Sequence, residues 1–132
     1  MEQLIRFGVA AGTMLAFDAV WLTTMSDRFY KKYMGDLVAA HPNFWAAGVF
    51  YALYVIGVLV LIINPAMKDG SSLLRTFLMG AVFGLVAYAT YDLTNQATLR
   101  NWPTIVTAVD LVWGTLLTGT VAVISVKIIR AL

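Results

Sequence analysis

The sequence predicts an all-α integral membrane protein, a four-helix bundle with an interfacial amphipathic helix between its first and second spans. Three observations carry that expectation. Of 132 residues, 61% are hydrophobic and 12% charged, whereas a soluble domain carries charge at about a quarter of its positions. The mean hydropathy is +0.81. Four windows of about 20 mostly apolar residues recur, each long enough to cross a bilayer core of about 30 Å. The same composition argues against a soluble nucleic-acid binder, a disulfide scaffold and a disordered tail. Cysteine is absent, which removes thiol catalysis and zinc fingers. The net charge of +2 is spread over loops and ends, as membrane topology requires, and forms no nucleic-acid patch.

The first span covers about residues 5–24. A single Arg6, the lack of a convincing small-residue cleavage site, and Asp18 within the apolar run favour a retained helix over a signal peptide. Residues 25–43 are too polar to span. There Phe29, Tyr30, Tyr33, Met34 and Leu37 recur at helical spacing, while Arg28, Lys31, Lys32 and Gly35 line the opposite face. Ser26 is placed to cap this interfacial helix and Pro42 to limit its end. It reads as an anchor or, more sharply, as a lid. The second span covers about 44–63, and Asn64-Pro65 with Asp69-Gly70-Ser71-Ser72 is expected to make a short turn. The third covers about 73–94. Trp102-Pro103 then sets an interfacial aromatic and an N1 proline before the fourth, about 104–126, so that one transmembrane domain uses residues 1–132. Arg6, Lys68, Arg75, Lys127 and Arg130 share one side and Arg28, Lys31, Lys32 and Arg100 the other. This five-to-four split favours cytoplasmic termini.

Three acidic residues, Asp18, Asp92 and Asp110, fall inside the predicted spans. Each costs about 2.5 to 3.5 kcal/mol at a helix centre on insertion scales, so three together need a reason. Asp18 lies six residues before the end of its span and Asp110 six after the start of its own, which puts both about 9 Å below the same surface. Tyr51 and Tyr54 enter at matching depth, and Tyr88, Tyr91 and Asn95 flank Asp92. All four helices thus deliver polar groups to one leaflet. Gly8 and Gly12 in the first span, and Gly80 and Gly84 in the third, are small-xxx-small patterns. If those two faces meet, helical rotation puts Asp18 and Asp92 on the same side of the seam, and the second and fourth helices close it with Tyr51, Tyr54 and Asp110.

The spacing around the acids repeats. Asp18-Ala19-Val20-Trp21 matches Asp110-Leu111-Val112-Trp113, and Tyr51-Ala52-Leu53-Tyr54 matches Tyr88-Ala89-Thr90-Tyr91. An aromatic at i+3 shares its Asp's helix face, where it can shield the carboxylate or stack on a ligand. Thr107, Asp110, Gly114 and Thr118 extend a small, polar stripe into the bundle.

Asp18-x-x-Trp21-Leu22, Phe50-Tyr51-x-x-Tyr54-x-x-Gly57, the run from Tyr88 through Asp92, Asn95 and Thr98 to Trp102-Pro103, and Asp110-x-x-Trp113-Gly114 resemble a family of small bacterial predicted membrane proteins, domain of unknown function 2177. The resemblance covers essentially the whole chain. It implies a four-helix protein of the bacterial inner membrane, brings no established activity, and inclines the reading towards lipid-related roles.

The candidate site is therefore Asp18, Asp92 and Asp110 as general acids or bases, with Trp21, Tyr51, Tyr54, Tyr88, Tyr91, Asn95 and Trp113 around a lipid or small apolar ligand. No cofactor is expected. No H-x-x-x-H or D-x-x-D spacing supports a metal, and Mg²⁺ or Mn²⁺ would suit an all-oxygen set better than zinc. One alternative is a proton-coupled transporter, which with only four helices would work as a homodimer. Another is a structural subunit whose acids dock a second membrane protein, and a third makes the aspartates glue between helices. Trp102 and Tyr33 read as interfacial belt residues and His41 as a loop residue.

Overall fold

A computed structural model describes residues 1–132 and contains four long helices joined by short connections: α1 Glu2–Leu37, α2 Phe44–Asp69, α3 Leu73–Thr98 and α4 Thr104–Ala131. Each is long and apolar enough to cross a membrane. Only 27 of 132 residues are buried, and Leu, Ile, Val and Phe side chains cover much of the outside. A soluble bundle would hide such residues, whereas a lipid-facing surface is built from them.

Helix α4 is the axis of the bundle. It packs along α3, the adjacent antiparallel helix, and against α1, while α2 meets α1 along Phe44–Val58 and touches α1, α3 and α4 through Leu59–Ile63. The core follows that arrangement, with Met14, Val55, Val58, Ile63, Leu117, Val121 and Val126 in one cluster. Glycines decide which helices approach closely. A Cβ at Gly80 would stand 2.7 Å from the Thr118 carbonyl oxygen, and one at Gly84 would strike the Gly114 backbone and stand 2.6 Å from Thr118 Oγ1. Gly8 and Gly12 have nothing within 4 Å. The expected seam between the first and third helices is thus replaced by an α3–α4 seam. The short link of 99–103 places α4 beside α3, and Gly114 and Gly119 supply the matching small face.

Two boundaries differ from expectation. Asn64-Pro65 does not turn the chain: α2 runs on to Asp69 and reverses only at Gly70, whose φ of 62° suits glycine. A wide π turn over Leu59–Ile63 precedes Pro65, so the missing proline N–H falls where the i−4 ladder is already interrupted. Likewise Ser26 does not cap a separate helix. The backbone passes from Glu2–Met25 through a π turn at Ser26–Tyr30 into Lys31–Met34, and Ser26 donates its own N–H to Leu22 as part of α1. The amphipathic stretch is thus the bent end of α1. It closes at Gly35, φ 55°, and a last turn to Leu37, before Pro42.

The bundle end opposite this bend is tied by polar contacts. Arg6 donates to Asn64 Oδ1 at 2.8 Å, Asn64 donates to Gln3 Oε1 at 2.9 Å, and Arg130 donates to the Ser71 carbonyl at 2.8 Å.

Candidate functional site

At the bent end of α1 the four helices enclose a cavity of about 520 Å³. Asp18, Trp21, Leu22 and Tyr30 come from α1, and Phe50 and Tyr54 from α2. Ala87, Tyr88 and Tyr91 come from α3, and Asp110 and Trp113 from α4. Nine of these eleven are apolar or aromatic, so the two carboxylates are the charged groups of an otherwise greasy lining. The repeated Asp-x-x-Trp explains the convergence. An i+3 spacing sets each indole beside its own carboxylate, and α1 lies against α4. Trp21 and Trp113 stack with centroids 4.0 Å apart and planes 9° from parallel.

Tyr30 joins the bend to the site. Its hydroxyl donates to Asp110 Oδ1 at 2.5 Å and accepts from Trp21 Nε1 at 3.1 Å. Helical spacing alone sets Tyr30 on the apolar face of an interfacial helix, apart from the site. The signal was its position one residue after Phe29, on the face that a continuing α1 turns towards α4. Phe29 packs there with Trp102 and Val106, so the bend is held by an apolar contact and a hydrogen bond together. Trp102, expected in an interfacial belt, is 8% exposed and donates to Thr107 Oγ1 at 3.0 Å. The chain reverses just before α4, and this folds the indole inward against Tyr91 and Phe29.

The three aspartates do not share one position. Asp18 and Asp110 line the cavity, but Asp92 does not. Asp92 is 0% exposed, no protein donor reaches either of its oxygens, and its polar neighbour is the Asp110 carboxyl. Such a pair is satisfied when one carboxyl carries a proton and donates it to the other. Asp92 therefore stands behind Asp110, which reaches Asp92 and Tyr30 at the same time. Asp18 accepts no hydrogen bond from the protein, and neither ion pair of the chain, Arg6–Glu2 or Lys31–Asp27, involves a site carboxylate.

Of the aromatic residues, Trp21, Tyr54, Tyr88, Tyr91 and Trp113 line the cavity. Tyr54 shares a 2.6 Å hydrogen bond with Thr118, one of the stripe residues Thr107, Asp110, Gly114 and Thr118, all buried. Tyr51 and Asn95 lie outside the lining. The Tyr51 hydroxyl turns to the Ala11 carbonyl at 3.4 Å, and Asn95 sits beside Tyr91. Phe50 takes the position expected of Tyr51. No three metal-ligating side chains come together. His41 and Tyr33 are exposed and border no part of the cavity.

The family model described as "Predicted membrane protein (DUF2177)" matches residues 3–127. No curated protein and no solved structure is significantly similar to the chain.

Proposed function

Because the chain belongs to this predicted membrane protein family, we propose that it is a multi-pass protein of the bacterial cell membrane that holds a lipid or another small apolar ligand between its helices. One observation carries the reading: a cavity of about 520 Å³ with an apolar lining and two carboxylates. That volume lies within the usual range of small-molecule sites, where apolar walls supply affinity and a few polar groups fix orientation. Leu22, Phe50 and Tyr91 border the cavity and are themselves more than half exposed, so its rim offers an apolar entrance from the acyl chains. Asp110, oriented by Tyr30 and backed by Asp92, is the group best placed to give or take a proton, with Asp18 as its counterpart. Asp92, Tyr51 and Asn95 support the site from behind its wall. The distribution of cations supports cytoplasmic termini.

Organic extraction of the purified protein tests the reading. Wild-type protein should release a bound apolar compound, found by mass spectrometry, in near-stoichiometric amount. Ala87→Phe, which pushes a ring into the cavity, should release little. Equal recovery from both proteins would overturn the proposal.

A further inference from the structure

We infer that the cavity recognises a cation, taking a ligand whose apolar body carries an ammonium group. This inference rests on the ligand-site reading above and names its chemical class. Seven of the eleven lining residues are aromatic, two are carboxylates, and none is Lys, Arg or His. An anionic head, whether carboxylate, sulfate or phosphate, would meet two acids and no compensating cation. Such a like-charge encounter in an apolar wall opposes binding. A neutral hydrocarbon would fill the volume but leave Asp18 without a partner, because no protein donor reaches it. Burying a carboxylate away from water is costly unless a countercharge accompanies it. An ammonium supplies that countercharge.

The aromatic wall adds a second, independent reason. Ring faces attract a desolvated cation, and sites lined by several rings beside a carboxylate are suited to quaternary ammonium groups. Trp21 and Trp113, stacked on each other, and Tyr54 and Tyr88, edge to face with 6.4 Å between centroids, line the same cavity as Asp18 and Asp110. Fixed rings of this kind lose little conformational freedom on binding. The group could be delivered by a lipid headgroup or by a free lipophilic amine, and the chemistry at the wall is the same.

The test uses the full chain in maltoside micelles, which carry no charge, titrated by calorimetry with benzyltrimethylammonium, its uncharged isostere neopentylbenzene, and benzenesulfonate. The cation should bind saturably and at least about tenfold more tightly than either competitor, the scale expected for cation–π contacts out of water. Asp18→Asn should remove that preference. Asp18 holds no structural hydrogen bond, so the variant should keep its wild-type melting temperature, and Asp69→Asn, outside the cavity, should bind as wild type. Equal binding of the uncharged isostere, preferential binding of the sulfonate, or an unchanged preference in Asp18→Asn would each overturn the inference. Neopentylbenzene bound without the cation would sink the ammonium class and leave the apolar site standing, whereas no binding of any probe would sink both. Competition by soluble dihexanoylphosphatidylcholine, but not by its phosphatidylglycerol counterpart, would identify the headgroup as the source. Cation binding that neither lipid displaces would identify a free amine.

Discussion

Substituting glycines on α1 and α3 by alanine should have opposite signs, and the reason lies in what each new methyl would meet. At Gly84 the methyl would strike the Gly114 carbonyl and come within 2.6 Å of Thr118 Oγ1. The obstacle is backbone, so only a shift of α3 away from α4 relieves it. Overpacking of this kind costs about 1 to 3 kcal/mol, and a contact with backbone belongs at the upper end. Alanine's better helix propensity returns up to about 1 kcal/mol. The net loss for Gly84→Ala is then about 2 kcal/mol. Gly12 has open space around it, so Gly12→Ala keeps only the propensity gain, about 0.5 to 1 kcal/mol. Reversible unfolding of both variants from maltoside micelles by added dodecyl sulfate, followed by circular dichroism, measures the difference. A loss in Gly12→Ala equal to that in Gly84→Ala would refute the α3–α4 seam and restore an α1–α3 glycine contact.

Three further outcomes follow from the site. Tyr30→Phe removes the hydroxyl that donates to Asp110 and accepts from Trp21; leaving a buried acceptor without its donor costs about 1 to 3 kcal/mol, and limited trypsin digestion should cut faster at Arg28, Lys31 and Lys32 as the bend undocks. Unchanged cutting would mean that Phe29 alone holds the segment. Asp92→Asn should fold, since the amide can donate to Asp110 where the carboxyl pair needed a proton, and it should keep ligand binding, because Asp92 does not line the cavity; loss of the ligand from a well-folded variant would place Asp92 in the site itself. Reconstituted protein should pass no protons under an imposed pH gradient, and a flux abolished by Asp18→Asn or Asp110→Asn would favour the transport alternative.

The four spans were legible because bilayer thickness imposes a length on apolar runs that composition alone reveals. That Asp18 and Asp110 line one cavity, and that Trp21 stacks on Trp113, was legible for a similar reason: equal depth and an i+3 spacing are set by helical rise and rotation. Helix pairing was not. Four small-residue faces, on Gly8/Gly12, Gly80/Gly84, Gly114 and Gly119, compete for close contact, and only the three-dimensional packing tells which of them meet. The short link between α3 and α4 was the available clue. The π turns were equally hidden. Pro65 and Ser26 are signals of helix ends in ordinary chains, yet the helix continues past Pro65, just after one wide turn, and through Ser26, at the start of another. The second of these turns is why Tyr30 reaches Asp110 rather than the interface, and why the bend belongs to the site.

An apolar molecule held in the cavity beside Trp21 and Trp113 would lie against the stacked indoles, which report on it directly. In a Trp45→Phe background, which removes the indole that is 82% exposed, a brominated alkane should quench tryptophan emission along a saturating curve, and Ala87→Phe should abolish the saturable part. Quenching that rises linearly with alkane concentration, and equally in both proteins, would show that the cavity holds no such molecule.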